Sequence, residues 1–314
     1  MGEYLVRRLV GMVATMLVVA TLVFIVTNLI PGSPAALILG EDRTPEQVVE
    51  LNRELGLDRP AAVRFVLWAG QLIRGDFGRS LFNDRSVAQV IYSRLEPTIL
   101  LTLSSAAIAV LIGIPLGILA AVYQRTVLDL GAMAVALVGA AIPNFWLGLL
   151  LILAFALRFK MFPSAGYTSL SDDPGATWRY LVLPAITLGV SHAGVIARMS
   201  RANLLEVLQT DYVRTARSKG LRERVVVNKH AFRNALVPTL SVVGIALALM
   251  IGGSVITESV FAVPGVGRLL IESVLRRDFP MIQGVILLIA MLVALVNLLV
   301  DLTYALLDPR IRYG

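Results

Sequence analysis

The chain has 314 residues, of which 57% are hydrophobic and only 16% charged, with no cysteine and a net charge of +7. The apolar excess over a soluble domain falls in long blocks, so the natural solvent is a bilayer; disulfides, thiolate chemistry and cysteine-based metal sites are excluded. In such a chain the surplus of Lys and Arg reads as membrane topology, with basic residues retained on the cytoplasmic side, and not as a nucleic-acid surface.

Apolar runs predict six spans: Leu9–Ile30, Thr98–Tyr123, Gly131–Leu157, Leu181–Met199, Leu236–Val260 and Met281–Leu307. Each is near or above the about 20 residues that cross a hydrocarbon core as helix. The first follows Arg7 and Arg8 as a signal peptide would, but it is too long for an h-region, and Pro31-Gly32-Ser33-Pro34 is a poor cleavage context. The fourth is interrupted by Ser191 and His192. Gly113, Pro115 and Gly117 in the second span, Pro143 in the third and Pro184 in the fourth allow close approach or bending.

Six spans place both termini on one side, together with residues 124–130 and 199–235 and the span-edge Arg198. These segments carry 14 basic residues against six acidic ones, whereas the opposite side is balanced. The first side is therefore expected to be cytoplasmic. The resulting division is an N-terminus and first span over 1–30, an external loop subdomain over 31–97, a five-helix core over 98–307 that includes the cytoplasmic loop 199–235, and a tail over 308–314. No internal repeat is evident, and the spans read as one membrane domain.

The external loop is too long for a simple connection and has its own helix signals. Thr44, Pro45 and Gln47 form a capping-box pattern with Gly56 as a stop, and Asp58 and Pro60 open a second helix through Trp68 that ends at Gly75. The loop is either a cover for the bundle or a docking surface for an external partner.

No sequence of the Walker type is present, since none of Lys160, Lys219 and Lys229 follows a glycine. His192 and His230 have no metal-ligand spacing, and hydrolase motifs are absent. Nothing supports an enzyme active site. Ionisable residues near the spans are few. Asp301 reads as an interfacial ion pair with Arg310 or Arg312, Glu258 as a solvated residue at a cavity mouth, and His192 as a hydrogen-bonded bundle residue. Gly252, Gly253, Ser254 and Glu258 are taken as a candidate stretch of a translocation path.

The loop between the fourth and fifth spans carries the main signal. Leu204, Leu205, Val207 and Leu208 have helical spacing. Thr210 or Asp211 caps a short helix over Tyr212–Lys219, Gly220 permits a left-handed turn, and Val225–Val227 begins a helix that leads through His230 and Arg233 to Pro238. Such a loop either rests on anionic headgroups or presents a helix to a partner.

The residues of this loop carry a resemblance. Arg214-Thr215-Ala216, three residues, Gly220 and nine residues before His230-Ala231-Phe232-Arg233-Asn234 resemble the EAA loop of permease subunits of binding-protein-dependent ATP-binding-cassette importers. Arg replaces the first Glu, and the final I-x-L-P is lost. Both departures resemble the peptide and nickel permeases, whose loop runs D-Y-V-R-T-A-R-A-K-G-L and later H-x-L-R-N-A-L-x-P. The likeness extends from Tyr4-Leu5-Val6-Arg7-Arg8-Leu9 and Pro31-Gly32-Ser33-Pro34-Ala35 through Leu55-Gly56-Leu57-Asp58-Arg59-Pro60 and Gly75-Asp76-Phe77-Gly78. It continues through Gly253-Ser254-Val255-Ile256-Thr257-Glu258 and Pro264-Gly265-Val266-Gly267 to Asp308-Pro309-Arg310-Ile311-Arg312-Tyr313. The long first external loop resembles the "B"-type member of each permease pair.

The resemblance implies an all-α integral membrane protein with six transmembrane helices, the type I importer fold and a cytoplasmic coupling helix over Tyr212–Leu221. It implies import of di- or oligopeptides, glutathione, a nickel chelate or a related solute across the bacterial cytoplasmic membrane. The implied partners are a second homologous permease, two cytoplasmic ATPases that bind ATP and Mg, and an external solute-binding protein; no cofactor is implied for this chain. Asp211, Thr215, Ala216 and Gly220 are expected to shape the coupling helix and Arg214, Arg217 and Lys219 to supply its polar contacts, with Tyr212 and Leu221 completing the coupling set. The competing readings are a stand-alone carrier or channel, and a membrane anchor or sensor.

Overall fold

A computed structural model describes residues 2–29, 34–40, 44–54, 56–82 and 84–307. The described residues are helical except for turns, short connections and one isolated β-bridge between Arg79 and Ser86. In chain order the helices are α1 (Gly2–Leu29), α2 (Pro34–Leu39), α3 (Pro45–Glu54), α4 (Ala61–Ile73), α5 (Val87–Val122), α6 (Val127–Ala141) and α7 (Asn144–Leu151), which continues as π-helical turns over Ile152–Arg158. They are followed by α8 (Pro174–Leu208), α9 (Asp211–Ser218), α10 (Glu223–Val225), which runs on as π-helix over Val226–Ala231, α11 (Phe232–Val260), α12 (Val266–Arg276) and α13 (Phe279–Leu307). Five segments are long and apolar enough to cross a membrane, and the bent pair Val127–Ala141 and Asn144–Arg158 makes a sixth. The third span is bent at the Pro143 that the sequence marked. It breaks at Ile142-Pro143 with a bend of 98°, because Pro143 has no N–H to continue the ladder and holds the residue before it in extended backbone.

The chain divides into two compact units: residues 1–96 with 265–294, and residues 97–264 with 295–314. In the first, α3 opens on the expected capping box: Gln47 N–H donates to Thr44 Oγ1 (3.3 Å) and Thr44 N–H to Gln47 Oε1 (3.0 Å). Gly56 at φ +64° follows its end. Pro60 precedes α4, whose Phe65 and Trp68 rings pack on Phe24 of α1 with centroids 5.2 and 5.5 Å away. Gln283 of α13 donates to the buried Thr27 of α1 at 2.7 Å, and the buried Asp278 accepts from Ser80 Oγ. Val87 and Ile91 of α5 form a core with Val266, Leu269, Met281, Val285 and Leu288. α5 therefore starts eleven residues before the Thr98 expected from hydropathy.

In the second unit α8 is the central helix. Asp173 caps it by accepting from Ala176 N–H at 2.9 Å, with Pro174 in the first turn. It packs against α6, α7 and α11 and against the glycines of α5. A Cβ on Gly117 would lie 2.6 Å from the Ala197 carbonyl oxygen, one on Gly113 2.8 Å from that of Ala193, and one on Gly194 would overlap the Ala136 carbonyl oxygen. Small residues let these backbones touch, which is how helices associate where lipid removes the hydrophobic drive. This placement explains why the fourth span has the interrupted pattern. A helix enclosed by protein can carry Ser191 and His192, which are both half-buried and bonded back to the Leu188 carbonyl at 3.0 Å.

Gly194→Val is expected to cost about 1–3 kcal/mol or more through overpacking. It should lower the melting temperature and the monodisperse yield in detergent. Gly131→Ala on α6, where a Cβ meets nothing within 4 Å, is the control and should be neutral or stabilising. A Gly194→Val protein that melts with the parent would refute the close approach of α6 and α8.

Candidate functional site: the loop between α8 and α11

The loop is built from α8 downward. After Leu208 the chain turns tightly: Thr210 N–H and Thr210 Oγ1 both donate to the Val207 carbonyl, at 3.1 and 2.6 Å. Thr210 then occupies the N-cap of α9 with its own carbonyl accepting from Val213 and Arg214 N–H, both at 3.2 Å. Its hydroxyl is turned back to α8, so the cap is made by the main chain. Asp211 in the first turn favours the positive helix end. Its pair with Arg214 at 3.3 Å is almost wholly exposed and contributes little.

α9 has two faces. Val213 and Ala216, one turn apart, are buried in a core with Ala121, Leu204, Val226, Val227, Ala231 and Ala235. Asp211, Tyr212, Arg214, Thr215, Arg217, Ser218 and Lys219 are exposed. Gly220 follows at φ +75° with open space where a Cβ would lie, so the requirement for glycine is a matter of backbone conformation and not of room. Beyond the turn, Arg217 grips Glu223 with two bonds, Nε to Oε2 at 3.1 Å and Nη2 to Oε1 at 2.6 Å. The Glu223 carboxylate raises the Arg217 pKa above the ordinary guanidinium value, against a smaller opposing effect of burial. At the other end of α9, Asn234 Nδ2 of α11 donates to Tyr212 Oη at 2.7 Å. The short helix is thus held by its core face, by Arg217–Glu223 across the turn, and by Tyr212–Asn234 to α11. It is a handle fixed to α8 and α11.

The nine loop residues singled out in the sequence, Asp211, Tyr212, Arg214, Thr215, Ala216, Arg217, Lys219, Gly220 and Leu221, come together here. The structure divides them between an inner face, a contact across the turn and an outer face. Ala216 faces inward, Arg217 is engaged within the chain, and Arg214, Lys219 and the 40% exposed Leu221 form the outward surface. α9 covers Asp211–Ser218, one residue earlier at each end than expected.

The candidate path residues are not brought to one surface. Gly252 is exposed with nothing near its Cβ position, and Gly253 faces Leu188 Cδ1 at 3.6 Å. Ser254 is buried and donates to the Ile251 carbonyl at 3.0 Å. Glu258 is corrected: it is not solvated but fully buried, accepting from Thr98 Oγ1 at 2.7 Å. The extended start of α5 brings Thr98 against it, a contact 160 residues apart that no local pattern signals. Asp301 is half-buried, and its suggested partners Arg310 and Arg312 lie outside the described residues.

A buried ion pair between Asp129 and Arg201 went unseen in the sequence. Asp129, in the first turn of α6, is buried and takes a fork from Arg201 of α8, with both bonds at 2.7 Å, and a third bond from Arg125 N–H at 2.9 Å. The pair joins the turn after α5 to the stretch of α8 that leads into α9. Tyr212 and Asn234 both belong to motifs quoted for the loop, but their contact is given by the structure alone.

Residues 113–313 match the family described as binding-protein-dependent transport system inner membrane component, and residues 1–102 match its N-terminal region. A putative peptide transport system permease protein of Brucella abortus (strain 2308) is 44% identical over 313 residues, covering 100% of both chains. A probable peptide ABC transporter permease protein of Sinorhizobium fredii is likewise 44% identical over 100% of both. The glutathione transport system permease protein of Salmonella choleraesuis is 41% identical, again over 100% of both. Among solved structures, an inward-facing MetNI methionine ABC transporter aligns with TM-score 0.58 at 21% identity, over 70% of this chain and 97% of that one. An amino acid ABC transporter crystallised with histidines aligns at 0.51 and 21%, over 71% and 95%. These two show a shared fold. The helical spans, the handle between α8 and α11, and full-length likeness to permeases agree: the chain belongs to the inner membrane component family of binding-protein-dependent transport systems, as a permease subunit of the peptide-transporter type.

Proposed function

We propose that the chain forms, with a second homologous permease, the path by which an ATP-driven importer carries small peptides across the bacterial cytoplasmic membrane, or a related solute such as glutathione or a nickel chelate. Both termini and the α8–α11 loop face the cytoplasm in this reading, as the basic bias of those segments supports. The observation that carries it is α9: a short helix anchored on three sides to the membrane helices, with one polar face left open. That is the shape of a coupler, not of a reaction centre.

In this proposal the open face, with Arg214, Lys219 and Leu221, seats in a groove of a partner ATPase. ATP and Mg belong to that partner. Closure of two ATPases displaces α9, and its attachments pass the movement to α8 and α11. The ATPase must contact α9 differently in its two states, since only a differential interaction shifts a conformational equilibrium. An external solute-binding protein supplies the substrate.

Reconstitution tests this. Uptake of a labelled dipeptide into liposomes is expected only with the second permease, the ATPases, internal-face ATP and the binding protein all present. Uptake without ATPases would overturn the reading in favour of a stand-alone carrier. ATP-driven uptake of glutathione with no competition from peptides would keep the importer and replace the substrate.

A further inference from the structure

We propose that α4 is a membrane-interface helix, bedded in the lipid at the edge of the bilayer beside the end of α1. The residues usually read as an external cap would then be partly a lipid-anchored element.

The argument begins with the faces of α4. Phe65 and Trp68 point to α1, where both rings pack on Phe24. Arg64 and Gln71, seven residues apart on one flank, line an open cleft of about 1100 Å³ whose polar side chains include Asn52, Asp58 and Arg79. The remaining face carries Val63, Val66, Gly70 and Ile73, spaced three, four and three apart and therefore one stripe. None of the described residues covers it: Val63 is 45% exposed, Val66 67% and Ile73 88%. A helix with aromatic, polar and bare apolar sides has its first two satisfied by protein and by water. The third is left for a solvent of its own kind.

Lipid is the occupant the surroundings select. α4 has thirteen residues and so reaches about 20 Å, too short to span a core about 30 Å thick. It packs on a helix that does span. Phe24 lies five residues before the end of α1, about 8 Å along the axis, within the about 5–10 Å at which amphipathic helices lie below the headgroups. The bare stripe continues an apolar surface already facing lipid, since Leu22, Ile25, Val26 and Leu29 of α1 are all exposed. Arg59 and Arg74 stand just outside the two ends of α4, and Arg64 lies on its flank. That arrangement suits anionic headgroups above an apolar bed.

The absence of native cysteine gives a direct test. Val66→Cys and Ile73→Cys are spin-labelled in the full chain, reconstituted in liposomes of phosphatidylethanolamine and phosphatidylglycerol. Glu50→Cys, at an exposed position of α3, is the aqueous reference. The ratio of collision with oxygen to collision with chromium oxalate is expected to be severalfold higher at 66 and 73 than at 50. It should remain so when a solute-binding protein is added. Equal ratios at all three positions would overturn the proposal. So would labels at 66 and 73 that are water-exposed alone and become protected only by the binding protein, which would make the stripe a protein-docking face. Both substitutions lie on exposed positions, and Val63→Cys provides a third reading should either protein fail to fold.

Discussion

Gly220→Val abolishes substrate uptake while the chain still inserts and folds. The backbone at Gly220 has φ +75°, a region costing an L-residue about 1–2 kcal/mol and a β-branched residue more, because its Cγ atoms meet the following carbonyl. The strain cannot be relieved by moving neighbours, since none stand within 4 Å of the added Cβ. It is relieved only by changing φ, and that redirects the chain between α9 and Glu223. The Arg217–Glu223 fork spans that turn and is the first bond lost; the last turn of α9 then frays. The buried core of Val213 with Leu204 and Val226 stays intact, so folding survives while the handle loses its fixed angle. Gly220→Asn, which tolerates the left-handed region, is expected to keep most uptake, with Gly220→Ala between the two. Reconstituted uptake measured beside ATP hydrolysis separates the steps: hydrolysis should persist in the valine variant without substrate stimulation. Uptake by Gly220→Val at the parent rate would sink the assignment of α9 as coupler.

Much of this handle was legible because its signals are local. A cap at Thr210 or Asp211 and a glycine at Gly220 suffice to write a short helix, whereas its buried face of Val213 and Ala216 came from the structure. Thr44, Pro45, Gln47 and Gly56 wrote α3 in the same way, and the hydrogen bonds match the pattern. Hydropathy, however, marks where lipid lies and not where a helix begins. It therefore missed the first eleven residues of α5, whose Val87 and Ile91 pack in a protein core. It read α8 as interrupted because it cannot know that this helix is enclosed by others. Glu258 was misplaced for a related reason. A carboxylate near a span end looks solvated until Thr98, 160 residues away, is found against it. Contacts at such separation leave no trace in spacing.

The Asp129–Arg201 fork, equally invisible in the sequence, predicts the second large effect. Arg201→Ala would leave a carboxylate whose side chain is only 5% exposed without its counter-charge. Breaking a buried pair on one side costs about 3–5 kcal/mol, much of it the penalty of the stranded charge. The lower end applies here, for three reasons. The Arg201 side chain keeps 26% exposure, so water partly replaces it. Arg125 N–H still donates to Asp129, and Asp129 sits in the first turn of α6, where the helix dipole favours a negative charge. Arg201→Lys should recover only part of the loss, because an ammonium cannot reproduce the two parallel bonds. The double variant Asp129→Ala/Arg201→Ala is expected to be more stable than Arg201→Ala alone, since the stranded charge is gone. Thermal melting in detergent reads this ordering, and a double variant no better than the single would show that the charge itself is not what the pair neutralises. Uptake should separate from stability. The fork ties the turn after α5 to the part of α8 that feeds α9, so the double variant, though folded, is expected to transport more slowly than the parent at equal membrane abundance. If it transported at the parent rate, the pair would hold the helices together without taking part in their movement.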